Sequence, residues 1–597
     1  LSEQYRIESA SIAVRFGARD RLFGMYTPPK GAETRRACGV LLCSPIGWHG
    51  SATHRTYRFL AERLAAQGFP VLRFDYDGTG DSAGSEMDPD RLAAWIGSIQ
   101  ESAAYLREVS GAPTISLFGV HFGATLAAHA AGLCEQRGTP IGSIVLWAAL
   151  LSGKEYLRHI RAYRLLNLAA PEAVMREEDA SGFTLTPSTV RDLLKLGPLF
   201  DQGTSCRDIL LLARDDQHSL EKFAKRLASR GINAELKCVP GYAAMMQDPQ
   251  RSRLPSEVME SVIAWLSQRH AVDTAALPQP KSALAQPIVR LETRTRSIQE
   301  CAFFFGRDRE LFAVMSSPSG STPKASPMIV WLSTGADHRI GPNRMFVPLA
   351  RTFAEIGFAS VRFDPRGVGD SGSAPQPDAH AYSEFRITEV LEAVDGLARD
   401  HGALEFILVG VCSAAFVAFH AAKRDPRVIS VVLINPQTLV WHEGDSTVLR
   451  AVPYRRSLQV YRQRLFSFVT WVRLLSGDLS VSRVMSSLFQ GAVAGVKRQM
   501  QDRSARTQVP HARAFDALRS LLARGVEVSL VFSDTDYGLE YVERYLGRRC
   551  ATVAVHKNFS LDVVEGADHT FSQQWAKERL ASLLMGCILR LRRDPTR

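Results

Sequence analysis

Two fifteen-residue stretches, GFPVLRFDYDGTGDS at 68–82 and GFASVRFDPRGVGDS at 357–371, are identical at nine positions and lie 289 residues apart. The same offset aligns Phe16-Gly17 with Phe305-Gly306, Leu22-Phe23 with Leu311-Phe312, His49 with His338 and Arg55 with Arg344. A period of that size is a duplicated domain rather than a short repeat unit. It requires the chain to fold as two similar bodies in series, and 597 residues, 46% of them hydrophobic, can supply two cores. The segment AVDTAALPQPKSALAQP (271–287), rich in Ala, Pro and polar residues without an apolar period, reads as the connection. Domains are therefore expected at 1–270 and 291–597, with a linker at 271–290.

In each half, short β-rich runs alternate with amphipathic helical patterns, the signature of a mostly parallel sheet covered by helices on both faces. The expected strands of the second half are PMIVWL, ASVRFD, FILVGV, SVVLIN, EVSLVF and LDVVEG; those of the first are CGVLLCS, PVLRFD, TISLFGV, SIVLWAA, DILLLAR and AELKCVP. The fold class is α/β.

In such sheets reactive groups gather at the carboxyl ends of the strands. There the second half carries GVCSA (410–414), with Gly410 and Ala414 flanking Cys412 as a sharp strand-to-helix turn demands. The helix behind the turn presents N–H groups to the sulfur, which favours thiolate relative to a free thiol of pKa about 8.5. Two further strand ends bring Asp534 and Asp536 in VFSDTDYG and His569 in VVEGADHTF. Cys, Asp, His is the chain order of nucleophile, acid and base on this kind of sheet. Asp536 is preferred as the acid because it lies further into its loop, with Asp534 the alternative. Ser413, one residue past the turn, points away from the base. A lone cysteine at an apolar strand end is otherwise a small buried hydrophobe.

With these residues in place the chain resembles the α/β-hydrolase superfamily: DPRGVGDS looks like that family's D-x-R-G-x-G-x-S stretch and GADHTF like its histidine loop. The nearer likeness is to exosortase-associated and serine-aminopeptidase-like hydrolases, with SPIGWHGSATHR and STGADHRIGPNR where their oxyanion loop lies. The resemblance implies two oxyanion N–H donors, one from Ser413 and one from Gly335 or Ala336. The departure is the turn itself, where G-x-S-x-G has become G-V-C-S-A.

The first half lacks the same constellation. His121 stands in its turn, GVHFG, where the nucleophile belongs, and Ala244 stands where the histidine would align; Asp216 remains as a lone acid. This half reads as a pseudo-enzyme domain whose roles are packing on the active half, partner docking or substrate binding, with His121 acting on the other site as a minor alternative.

Between VVLINPQ and EVSLVF the second half holds a long insertion, expected as a helical cap at about 437–525. Residues 441–513 contain twelve Lys and Arg against four Asp and Glu, and so carry most of the chain's net +11. Arg455, Arg456, Arg462 and Arg464 lie there among Tyr, Phe, Trp and Leu, either as the solvated face of a cap or as a docking surface for an acidic partner or a phosphate-bearing substrate arm. No recognition module for nucleic acid accompanies them.

The nine cysteines show no CxxC pair, so neither a metal site nor a disulfide framework is expected, and no cofactor. No apolar run is long enough to span a bilayer and the first residues, LSEQYRIESA, resemble no targeting peptide, which gives a cytoplasmic expectation. A cysteine exchanges one thioester for another at little cost in energy. The triad thereby resembles Dieckmann-type cyclases and chain-releasing thioesterases of polyketide and peptide assembly lines. The expected substrate is an acyl thioester, on coenzyme A or on the phosphopantetheine arm of an acyl or peptidyl carrier protein. The rivals are a carboxylesterase or peptidase-like hydrolase with a cysteine nucleophile, and a non-catalytic binding protein.

Overall fold

The computed structural model describes residues 11–591 apart from 32–34, 168–178, 181, 201–202, 215–216, 248, 273–287, 294–295, 320–325, 375–380, 442–504 and 535. The first domain builds one eight-stranded sheet in the order β1-β2-β4-β3-β5-β6-β9-β10. Its strands are β1 (Ile12–Phe16), β2 (Leu22–Thr27), β3 (Cys38–Cys43), β4 (Val71–Phe74), β5 (Thr114–Val120), β6 (Ile141–Trp147), β9 (Asp208–Ala213) and β10 (Asn233–Cys238). A separate small hairpin, β7 (Asp179–Ala180) and β8 (Phe183–Thr184), follows β6 in the chain.

The second sheet has nine strands in the order β11-β12-β13-β15-β14-β16-β17-β18-β19. They are β11 (Ile288–Glu292), β12 (Ser297–Phe305), β13 (Leu311–Pro318), β14 (Met328–Leu332), β15 (Ser360–Phe363), β16 (Phe406–Val411), β17 (Val428–Ile434), β18 (Glu527–Ser533) and β19 (Phe559–Val564). From β12 onward this sheet repeats the first strand for strand, and β11 adds one edge. All twelve strands expected from the sequence are present and pair in parallel. The antiparallel edges, β1-β2 and β11-β12-β13, are additions to that expectation.

Because helices cover both faces, the central strands can be apolar without alternation: every residue of FILVGV in β16 is buried. One face of the second sheet packs on helices Glu384–His401 and Ser413–Arg424, the other on Phe346–Glu355 and Gln574–Arg590. The helix Ala505–Ala523, at the end of the stretch expected as a cap, buries Phe515, Leu518, Leu521 and Leu522 in the sheet's core and so is part of the domain's own covering layer. The remainder of that stretch, with Arg455, Arg456, Arg462 and Arg464, lies outside the described residues. No helix among the described residues is long and apolar enough to cross a membrane.

The two domains meet through the repeated stretches themselves. Arg73, on β4, donates to Asp370 Oδ1 at 2.7 Å, and its counterpart Arg362, on β15, bonds Asp81, the counterpart of Asp370. Arg339 lies between these pairs and donates to Asp81, Asp364 and Asp370 at 2.7–2.9 Å. Phe23 and Met25 of β2 pack against Phe312 and Val314 of β13, again residues in matching positions. The junction thus has an approximate two-fold arrangement, with buried charges paired across it.

Candidate active site

The turn after β16 holds Cys412 at φ 56°, ψ −117°, a left-handed conformation that costs a non-glycine residue about 1–3 kcal/mol. Its N–H donates to Ile434 O on β17 at 2.8 Å, which fixes the turn to the sheet. Gly410 is required by close approach, since a Cβ there would come within 2.4 Å of Ala414 O. The strain holds the Cys412 side chain, half-buried, above the strand ends.

His569 follows β19 and bonds Asp536 Oδ2 through Nδ1. The Cys412 sulfur lies beside the same imidazole and acts on it electrostatically. Burial alone would lower the imidazole's pKa, but the bond to Asp536 and the neighbouring Cys412 sulfur outweigh it and hold the group well above the ordinary histidine value. Asp536 is oriented by its second oxygen, which accepts the Gly538 N–H at 2.8 Å and caps the helix Tyr537–Leu546. Asp534 accepts the Gly566 N–H at 2.9 Å, so it braces the neighbouring loop.

Sequence reasoning missed Asn435. Its Nδ2 donates to His569 O at 2.7 Å while its Oδ1 accepts the Ser533 N–H at 2.8 Å, tying the histidine loop to the end of β18. The available signal was an asparagine closing an otherwise apolar strand, VVLIN.

The Ser413 hydroxyl is buried beneath the oxyanion loop, 3.1 Å from both Thr334 Oγ1 and the Gly335 N–H. The Gly335 donor is therefore spent. The Ser413 and Ala336 N–H groups make no hydrogen bond with the described residues, which leaves this pair available for an oxyanion.

In the first domain His121 keeps the geometry of Cys412, at φ 53°, ψ −123°, with its N–H on Trp147 O at 2.8 Å. Its ring stacks on His49 with centroids 4.3 Å apart and approaches His159 Nδ1 at 3.3 Å. Burial, helped by these imidazoles, drives the His121 pKa well down. Each of its ring contacts is with a residue of its own domain. Ala244 lies in the short helix Tyr242–Met245, and Asp216 lies outside the described residues. His338 stacks on His54 at 4.2 Å, across the junction. No cluster of His, Cys, Asp or Glu among the described residues could hold a metal ion.

The family model for serine aminopeptidase, S33, matches residues 44–231, and the model described as the alpha/beta hydrolase fold matches residues 339–555. A stretch of 103 residues is 36% identical to protein ABHD12B of Homo sapiens; it makes up 17% of this chain and 27% of that relative's length. Among solved structures, an α/β serine hydrolase without lid from Xanthomonas campestris is 16% identical, with 44% of this chain and 94% of that one covered, at a TM-score of 0.29. An esterase from Pyrococcus furiosus is 14% identical, with 44% and 92% covered, at a TM-score of 0.32. Each half has its own match, and each is a hydrolase-type fold: the chain carries two α/β-hydrolase domains in tandem.

Proposed function

We propose that the second domain is an acyl-transfer enzyme that takes acyl thioesters onto Cys412. The observation that carries this reading is His569, bonded to Asp536 and lying beside the sulfur of a strained turn residue. The Cys412 sulfur attacks the thioester carbonyl. The resulting oxyanion lies toward the Ser413 and Ala336 N–H groups, and collapse breaks the substrate's C–S bond. The departing sulfur takes its proton from His569, leaving an acyl-Cys412 thioester. In the second half, His569 removes a proton from the acceptor, an alcohol, an amine, water or a carbon acid of the acyl chain itself, and the acyl group leaves Cys412. An acyl-enzyme thioester stays reactive toward such acceptors, which favours transfer or cyclisation over attack on stable amides.

The reading extends to thioesters delivered on a carrier protein or on coenzyme A. Incubating the protein with a panel of acyl thioesters and measuring its intact mass tests it. The expected result is a mass gain equal to the acyl group, mapped to Cys412 and absent from Cys412→Ala. Unmodified protein that nevertheless turns over simple esters would replace this reading with a carboxylesterase.

A further inference from the structure

A cavity of about 420 Å³ lies at the junction of the two domains, inside the range of roughly 300–1,000 Å³ typical of small-molecule sites. The first domain supplies much of its apolar wall, including Phe23, Met25, Trp48 and Phe183. The second contributes the loop immediately after Ala336, from Asp337 to Arg344, and Asp568 and Thr570 on either side of His569. Neither Cys412 nor His569 lines it, and it shares two loops with the candidate active site.

The polar part of the wall has a definite chemistry. His54 and His338 stack face to face, and burial keeps both imidazoles neutral near pH 7. Neither ring forms a hydrogen bond with the described residues; His54 approaches Asp370 only at 3.9 Å. Two neutral imidazoles facing a cavity offer donors and acceptors without charge. The guanidinium groups there are charge-paired or bonded: Arg73 and Arg339 pair with Asp370, and Arg344 bonds the carbonyls of Gly80, Ser82 and Gly84, while Arg73 Nε has no partner among the described residues. The Asp75 and Asp568 carboxylates accept the N–H groups of Asp81 and Ser572.

We propose that this cavity binds an uncharged amphipathic organic group, an apolar body bearing hydroxyl or carbonyl oxygens that hydrogen-bond to His54 and His338. The first domain then acts as half of a binding site, without any chemistry at its own turn. The group has two sources, the acyl body of a substrate or a separate molecule. The proposal does not depend on Cys412 being a nucleophile.

The test is binding of the neutral naphthyl ketone dye Prodan, followed by its blue-shifted emission, to the full chain. Wild type is expected to bind. Ser51→Trp, which fills the cavity, should weaken binding by about tenfold or more, and His54→Phe and His338→Phe, which keep the ring stack, by about fivefold each for one lost hydrogen bond. Unchanged melting temperatures in the phenylalanine variants keep the result interpretable if Ser51→Trp folds poorly. In Cys412→Ala, displacement of the dye by the decanoyl thioester of N-acetylcysteamine assigns the site to the acyl body; retention of the dye assigns it to a separate molecule. No binding to wild type, or equal binding by wild type and all three variants, overturns the proposal.

Discussion

Arg73 and Asp370 lie 297 residues apart in sequence and form a 2.7 Å ion pair in which both side chains are almost wholly buried. Its counterpart, Arg362 with Asp81, runs the other way across the same junction. Charge taken from water on this scale is tolerated only where the partners and their remaining hydrogen-bonding capacity are matched. Here Arg339 supplies further donors to the carboxylates, and nearby guanidinium groups hold Asp370 well below the ordinary carboxylate range against its burial, while Arg73 Nε and Arg362 Nε have no partner among the described residues.

Breaking one pair should therefore destabilise both domains together. Asp370→Asn leaves Arg73 with a neutral partner and is expected to cost about 3 kcal/mol or more. Urea unfolding followed by fluorescence checks this; a loss below about 1 kcal/mol would show that the pair is solvated.

Asp75 gives the junction a pH dependence of opposite sign. Burial, and then the charge of Asp81, raise its carboxyl to about 6. In the unfolded chain it titrates near 4. Between those values the folded state holds the extra proton, so this group's contribution falls as pH rises from about 4 through about 6. Asp75→Asn should be more stable than wild type at pH 8 by about 2 kcal/mol or less, with the gap closing toward pH 4. Melting temperatures across that range would show it.

The two aspartates after β18 should separate cleanly. Asp536→Asn keeps an oxygen for the helix cap but no longer supports an imidazolium, and turnover of an acyl thioester should fall by about 10³–10⁴. Asp534→Asn, at a carboxylate that accepts the Gly566 N–H, should stay within a few-fold of wild type. Comparable losses in both variants would remove Asp536 from its assigned role.

The first domain's turn should tolerate loss of its side chain as far as chemistry is concerned. His121→Ala removes stacking on His49 and leaves a small void, which should cost about 1–3 kcal/mol of stability. Acylation of Cys412, read by intact mass, should be unchanged. A large fall in acylation with normal folding would show that His121 acts on the other site.

The parallel strands and the turn were legible because each is local: FILVG followed by CSAA carries its own instruction to end a buried strand and start a helix. Asp536 and His569 could be placed because strand ends in this topology converge. The antiparallel edges were harder to read, since strands such as IAVRF mix apolar and charged residues. The junction was hidden for another reason. Arg73 and Arg362 occupy the same place in the repeated stretch, each inside a strand whose residues are all buried. Sequence shows that each needs a counter-charge, but only the fold shows that each finds it in the other copy. Likewise, that the Ser413 hydroxyl takes the Gly335 N–H, a contact over 78 residues of chain, is visible only in the fold.

The central claim, that His569 and Asp536 activate Cys412, is tested most directly by the order in which cysteines react with iodoacetamide at pH 6. Cys238 is exposed and Cys412 only half-buried, so exposure alone predicts that Cys238 reacts first. An imidazolium held beside the Cys412 sulfur predicts the reverse. Peptide mapping of the first label should find it on Cys412 in wild type and on Cys238 in His569→Ala. Labelling of Cys238 first in wild type, or a Cys412 preference that survives loss of His569, would contradict the account.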